Sequence, residues 1–455
     1  MTGSSWYRLR NDRSIRYAGR TLSPDRPILL RLNTDYGSRY DGQVAVIVAA
    51  NLLARMTPSV AFSVPDIEIV KPLPWAGMKL HDLLMTSSFA ADPGGCFSLR
   101  GINDGDYVLS LGREFSPATV HGSGWNAFIG PHASPVPDSA QPNPVGAALA
   151  VVVAAARLFA LQLQPMDGPH LMNAFDWSGA IVLDNAAPAF DRDANHGTIW
   201  TVGVGSVGTA VLYFLTLATR RFLPALFDMK GVEIHNLDRS PIFTASNAEA
   251  QISKVEATKI YLESIGIKDV QCEPNPLDQS KVWSMREAGT PDLVIAAANE
   301  RDVRYIIEQS APPLQIYGTT GANWQASLIR HIPMVEACSC CLFPPRDPKP
   351  VITCATTTAI QPSIGKPIDA SLPFLSFAAG LMAAAEILKT QMPGYPFTPN
   401  RTTLYTHPEA PPRLVSLPIS RRPECLCASR SSSVHASMIS GTRLWHLSAP
   451  KSSGQ

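Results

Sequence analysis

The chain has 455 residues, 38 basic against 37 acidic, for a formal net charge of +1. That balance lacks the basic excess of a nucleic-acid binder and predicts no nucleic-acid partner, while the length suits two or three domains with separate cores. Forty prolines and 30 glycines, with 45% hydrophobic residues, fit many short strand-to-helix loops.

The opening Met-Thr-Gly-Ser-Ser has no apolar core of a signal peptide, and the longest apolar stretch, Val145 to Ala156, is too short to span a bilayer. Cysteines at metal-like spacing suit a reducing compartment. The expectation is a cytoplasmic protein with no membrane partner. A basic run follows (Arg8, Arg10, Arg13, then Arg16-Tyr17-Ala-Gly-Arg20). An apolar strand (Pro27-Ile-Leu-Leu-Arg-Leu) then runs through Asn33 to Gly42 into a helix beginning near Val44. Side chains in that turn would obstruct close backbone approach to a phosphate. Next come a strand, Asp106 to Glu114, a polar loop over residues 131–144, and an Ala-rich helix from Pro144.

The later half carries more chemistry. An apolar strand (Ile199 to Val202) leads into Gly203-Val-Gly205-Ser-Val-Gly208 and then an apolar helix, the strand, turn and helix of a Rossmann-like phosphate site. Gly231 to Leu237 reads as a second strand, and Asp238 after it stands where an acid can accept hydrogen bonds from ribose hydroxyls. Ser246-Asn247 precedes a helix with Lys254 in its first turn. A cation there opposes the helix dipole, which points to an anion nearby. The strand Asp292 to Ala298 ends at Asn299-Glu300.

Five of the eight cysteines lie in Cys338 to Cys341 and Cys425 to Cys427. Cys338, Cys341, Cys425 and Cys427 can complete a tetrahedral four-thiolate site for Zn²⁺, with Cys340 as a substitute ligand. Cys354 stands apart in a polar segment, as a nucleophilic thiol would. A final Ser-rich stretch, 428–455, reads as a mobile tail.

The two halves echo each other. Asp106 to Glu114 parallels Asp292 to Glu300, Pro144 to Arg157 parallels Pro373 to Glu386, and Ile129-Gly130 is set against Tyr317-Gly318. The first copy lacks the glycine fingerprint.

In this order the motifs resemble those of the ThiF/MoeB-type adenylating family, across residues 195–428. The layout is similar to ubiquitin-activating enzymes, in which an inactive adenylation domain precedes an active one. The resemblance implies an α/β fold of two Rossmann-like (ThiF-type) domains in tandem, the N-terminal one degenerate, with a zinc-clasped C-terminal segment. The expected domains are 1–170, inactive, 171–427, active, and the tail 428–455. ATP would lie on Gly203, Gly205 and Gly208, with Asp238 on the ribose and Asn247, Lys254 and an arginine lent by the other half, Arg16, near the phosphates. Mg²⁺ would sit near Asn299, where the family has an aspartate. The family's arginine shortly after Ser-Asn is absent from Asn247-Ala-Glu-Ala-Gln.

The implied activity is adenylation of the C-terminal glycine of a ubiquitin-like protein, then a thioester on Cys354 and transfer to a conjugating-enzyme-like carrier. Similar enzymes occur in bacterial conjugation systems linked to antiviral defence. Two related readings are a sulfur-carrier adenylyltransferase of cofactor biosynthesis and an impaired scaffold for a ubiquitin-like tail. A zinc-containing NAD(P) oxidoreductase leaves Lys254 and Cys354 without a role. A homodimer stays open.

Overall fold

The structure, a computed structural model, describes residues 3–22, 27–104, 106–141, 143–188, 191–275, 277–278, 291–298, 301–310, 312–321, 323–343 and 371–428. Asn299, Cys354 and residues 429–455 of the expected tail lie outside them.

Two short helices, α1 (Gly3–Arg10) and α2 (Asp12–Ala18), precede the first sheet. That sheet is built from β1 (Ile28–Leu32), β2 (Ser59–Ser63), β3 (Cys96–Leu99), β4 (Tyr107–Leu111), β5 (Thr119–Ser123), β6 (Asn126–Gly130) and β7 (His170–Asn173). Among them run α3 (Thr34–Gly37), α4 (Tyr40–Met56), α5 (Leu80–Ala91) and α6 (Pro144–Leu161). The order across the sheet is β3-β2-β1-β4-β5-β6-β7, with β1 to β5 parallel and β6 and β7 antiparallel.

The second sheet repeats this plan. Its strands are β8 (Thr198–Val202), β9 (Leu223–Phe227), β10 (Gln271–Glu273), β11 (Leu293–Ala296), β12 (Gln315–Gly321), β13 (Gln325–His331), β14 (Arg401–Tyr405) and β15 (Arg413–Leu417). Its helices are α7 (Ser206–Ala218), α8 (Ala245–Glu249), α9 (Lys254–Ser264), α10 (Arg301–Ser310), α11 (Ser339–Leu342) and α12 (Pro373–Lys389). The order is β10-β9-β8-β11-β12-β13-β14-β15, parallel through β12 and antiparallel beyond. Strands covered by helices on both faces need largely apolar runs rather than alternation, and β8 and β11 supply them, while β1 is interrupted by the exposed Arg31.

The repeat is in register at one tight contact. A Cβ on Gly208, in the third position of α7, would meet the Gly203 carbonyl oxygen at 2.1 Å, and a Cβ on Gly42, in the third position of α4, would meet that of Tyr36 at 1.9 Å. Helix α7 therefore starts hard against the turn leaving β8, and α4 starts equally hard against the short helix α3 that follows β1. The strand pairing differs from the reading of the sequence in one place: Tyr317-Gly318 lies in β12, whose parallel counterpart is β5, whereas Ile129-Gly130 closes the antiparallel β6.

The halves meet through helices. α12 packs on α7, α6 and α4, and a single apolar core runs from Ile28 through Val152 to Leu388. Helix α6, at 18 residues, is long and apolar enough to cross a membrane, but 94% of it is buried inside the protein, as in a core helix. Arg55 of α4 is wholly buried and donates to the carbonyls of Leu237, Pro241 and Phe243 at 2.5 to 3.1 Å, so the first half holds a loop of the second.

Candidate active site

The site is assembled at the C-terminal ends of β8, β9 and β11. Gly203 turns there with φ +90°, and a Cβ on it would lie 2.5 Å from the Ala298 nitrogen, so glycine is required twice over. Gly205 is the extended residue before α7 and offers no side-chain cap. A Cβ on it meets nothing within 4 Å. The turn thus has open space beside Gly205 and leaves α7 without a side-chain cap at the positive end of its dipole, an arrangement suited to phosphate.

Sequence reasoning expected the second strand at Gly231 to Leu237, but it runs from Leu223 to Phe227. Pro224 hid it. That proline falls where β9 has begun to pair with β8 but not yet with β10, whose ladder starts at Ala225, so its missing N–H costs nothing. The acid at the strand's C-terminal end is therefore Asp228, whose two carboxylate oxygens accept from the Val204 and Lys230 N–H groups, both at 2.9 Å. Residues 231–237 form an isolated bridge from Gly231 to Ser253 and a single helical turn at Ile234–Asn236.

Asp238 lies deeper, fully buried. It accepts from Arg239 Nε at 2.6 Å and from Ser14 Oγ of α2 at 2.8 Å. Arg239 also donates to the Ser371 carbonyl at 3.2 Å. This pair ties the N-terminal helices to the start of α12. Asn247 uses its side-chain oxygen to accept from Thr244 N–H at 3.0 Å, closing a capping box at α8. An asparagine with an arginine shortly behind it, absent after Ser246, is present one loop earlier at Asn236 and Arg239.

Lys254 is the first residue of α9 and only 8% exposed. Burial lowers its pKa, and the neighbouring charges divide, with Asp228 and Glu233 raising it and Lys230 and Arg13 lowering it. His235 reports the same field. Burial, and then the charges of Arg13, Arg239 and Lys254, push its pKa down to about 3. Cations gathered near an uncapped helix N-terminus call for an anionic ligand. Arg16 points elsewhere. It is 40% exposed and pairs with Asp12 at 2.9 Å on its own helix. Within the basic run, the arginine whose charge acts on Lys254 and His235 is Arg13.

The structure thus brings together Gly203, Gly205, Gly208, Lys254 and, newly, Asp228 and Arg13. Asp238 and Asn247 make contacts within the protein. Asn299 and Cys354 fall outside the described residues. A strand end two positions before Lys230 was the missed signal for Asp228, and Pro224 obscured it.

A second cluster lies at the far end of the sheet. The sulfurs of Cys338, Cys341, Cys425 and Cys427 all lie within 4.8 Å of one another, and all four residues are buried. Cys338 and Cys425 are 3.5 Å apart, as are Cys341 and Cys427. Zn–S bonds of about 2.3 Å in a tetrahedron set sulfurs about 3.8 Å apart, so the set fits a metal of that kind. Burial pushes the Cys425 thiol to about 12, and the charge needed to ionise four adjacent thiols would come from the metal. Cys340 is buried but outside the foursome, so the one-residue spacer of Cys425 and Cys427 suffices.

Comparison with protein families matches residues 180–427 to the ThiF family. No curated protein matches the chain. Among solved structures, E. coli MccB with SeMet MccA is similar at 16% identity and a TM-score of 0.37, covering 51% of this chain and 66% of that one. E. coli MccB with ATP gives the same four values, and MccB alone gives 16% identity, a TM-score of 0.38, and 51% and 65% coverage. This chain thus spans just under two thirds of those MccB chains. At such identity the likeness says nothing of what this chain acts on. The matched region, which takes in the glycine turn, Lys254 and the four cysteines, is more than half of the sequence, and the chain belongs to the ThiF family of adenylating enzymes.

Proposed function

We propose that the protein is a cytoplasmic adenylyltransferase that activates the C-terminal glycine of a ubiquitin-like protein with ATP. A carboxylate oxygen of that glycine attacks the α-phosphorus, the bond to pyrophosphate breaks, and an acyl-adenylate forms. The Cys354 sulfur then attacks the acyl carbon, losing its proton, and AMP leaves. The resulting thioester passes to a conjugating-enzyme-like carrier.

The observation that carries this reading is the open turn at Gly205, with an uncapped helix N-terminus near which Lys254 and Arg13 bring positive charge. Lys254 and Arg13 would neutralise charge on the phosphates as the α-phosphorus becomes five-coordinate, and Asp228 would hold the ribose and the turn together. Mg²⁺ is part of the proposal as a phosphate counter-ion, with Asn299 as its candidate ligand. Zn²⁺ at the four cysteines would be structural, pinning the segment after β15 to the loop after β13. Two sheets of one plan in a single chain, with the G-x-G-x-x-G turn on only the second, favour protein conjugation over the sulfur-carrier reading.

Pyrophosphate exchange with a ubiquitin-like protein, followed by a non-reducing gel, tests the scheme. Exchange together with a reductant-sensitive adduct is expected, and Cys354→Ala should keep the first and lose the second. Exchange without an adduct in the unmodified protein would favour the sulfur-carrier reading, and neither signal would favour a scaffold.

A further inference from the structure

The crevice of the first half, at the place matching the glycine turn, is polar and self-occupied. After β1, Asn33 caps α3 by accepting from Asp35 and Tyr36 N–H groups, and Tyr36 is buried with its hydroxyl donating to the Gly122 carbonyl at 2.7 Å. Beyond them three donors from three elements converge. Arg39 precedes α4, Arg113 follows β4, and His121 lies on β5. What they surround is Asp138, carried on the loop between β6 and α6. Its carboxylate is bonded by Arg39 Nη1, lies 3.6 Å from Arg113 Nη1 and 3.9 Å from His121 Nε2, and is 46% exposed.

The histidine is the informative member. Its side chain is fully buried, its ring lies 4.9 Å from that of Tyr36, and its Nδ1 is 2.9 Å from Ser134 Oγ. Ser134 Oγ accepts from Val136 N–H at 3.2 Å, and we assign its own hydrogen to Nδ1. That assignment leaves the ring proton on Nε2, facing Asp138 at a distance too long for a hydrogen bond. Nε2 has no hydrogen-bond partner. An unmet buried donor costs about 1–3 kcal/mol, which an acceptor reaching Nε2 would recover. The other charge facing the cluster is Asp41, whose Oδ2 accepts from Ser123 Oγ at 2.7 Å and lies 3.5 Å from Arg39. With Asp138 turned into solvent, two guanidinium groups would face one carboxylate, leaving a net positive cavity.

We propose that this crevice binds a phosphate group in place of the Asp138 carboxylate. As placed, the Asp138 oxygens bond Arg39 but stand 3.6 Å from Arg113 Nη1 and 3.9 Å from His121 Nε2. The tetrahedral oxygens of a phosphate can take Arg39, Arg113 and His121 Nε2 together, and arginine forks suit that geometry. Asp138 then acts as a built-in occupant that lowers affinity and releases its place when phosphate is present. The proposal is independent of adenylation in the second half.

The test uses full-length protein with labelled histidines, inorganic phosphate as the probe, and AMP as a second arm. The His121 Nε2–H resonance, assigned with His121→Gln, should shift saturably with phosphate. Asp138→Asn should tighten that response by about tenfold, and Arg113→Met, at an exposed position, should weaken it by about tenfold with an unchanged melting temperature. A response to AMP but not to phosphate would make the ligand a phosphate ester. A His121 signal unmoved by either compound in both the unmodified protein and Asp138→Asn would overturn the proposal, as would a phosphate response of equal strength in Arg113→Met.

Discussion

Lys254 and Arg13 show how differently two residues can be read from a sequence. Lys254 was legible because a cation in the first turn of a helix contradicts the dipole, and the structure places it buried beside Asp228. Arg13 was not, because five arginines in the opening 20 residues are equivalent without a helix to orient them. Once α2 forms, Arg16 turns to Asp12 and Arg13 toward His235. Lys254→Met should therefore lower ATP–pyrophosphate exchange by about 10²-fold or more with little change in melting temperature. Arg13→Ala should lower exchange by about tenfold or more and Arg16→Ala by less than about twofold. Equal effects of the two arginine variants in the same assay would contradict this placement.

At the scale of elements, the strands flanking the glycine turn and the long apolar helices α4, α6 and α12 were readable because each is continuous. β9 was not, since Pro224 breaks its pattern and only its position ahead of the β10 ladder makes the proline harmless. The acid that follows the second strand was consequently sought at Asp238 rather than Asp228. The cysteine foursome was legible as spacing, whereas its closure depends on β13 and the segment after β15 meeting in space. Arg422 reinforces that meeting by donating to the Cys340 carbonyl at 3.0 Å. Cys425→Ser should release bound zinc, measured by metal analysis of the purified protein, and lower the melting temperature by several degrees, as loss of a structural metal does. Unmodified protein that contains no zinc would contradict the clasp.

Across the whole molecule, the repeat was visible as paired motifs, but the strand correspondence was not, because β5 and β6 share an apolar, glycine-containing pattern and differ only in direction. The halves are joined by buried charge that no spacing rule reveals. Glu386 of α12 meets Arg330 at 2.5 Å and Lys389 at 2.9 Å, and Lys389 reaches the Phe175 carbonyl of the segment leaving the first sheet at 3.0 Å. Burial alone would raise the Glu386 carboxyl, but Lys389 and Arg330 outweigh it and bring the pKa down to about 2. A group depressed in the folded state stabilises above its unfolded pKa and loses that stabilisation as pH falls. Chemical denaturation should show stability dropping between about pH 5 and pH 2, with part of that slope missing in Glu386→Gln. At neutral pH the same variant should cost about 3–5 kcal/mol, because Lys389 and Arg330 would be left buried and under-compensated.

The central claim is that ATP lies over the glycine turn of the second half, and Gly205 separates that claim from folding. A Cβ there meets nothing in the protein within 4 Å, whereas one at Gly203 collides with Ala298. Gly205→Leu should leave the thermal unfolding curve within about 2 °C of the unmodified protein, a surface-like effect, while abolishing ATP–pyrophosphate exchange. Full exchange in a folded Gly205→Leu protein would contradict the account.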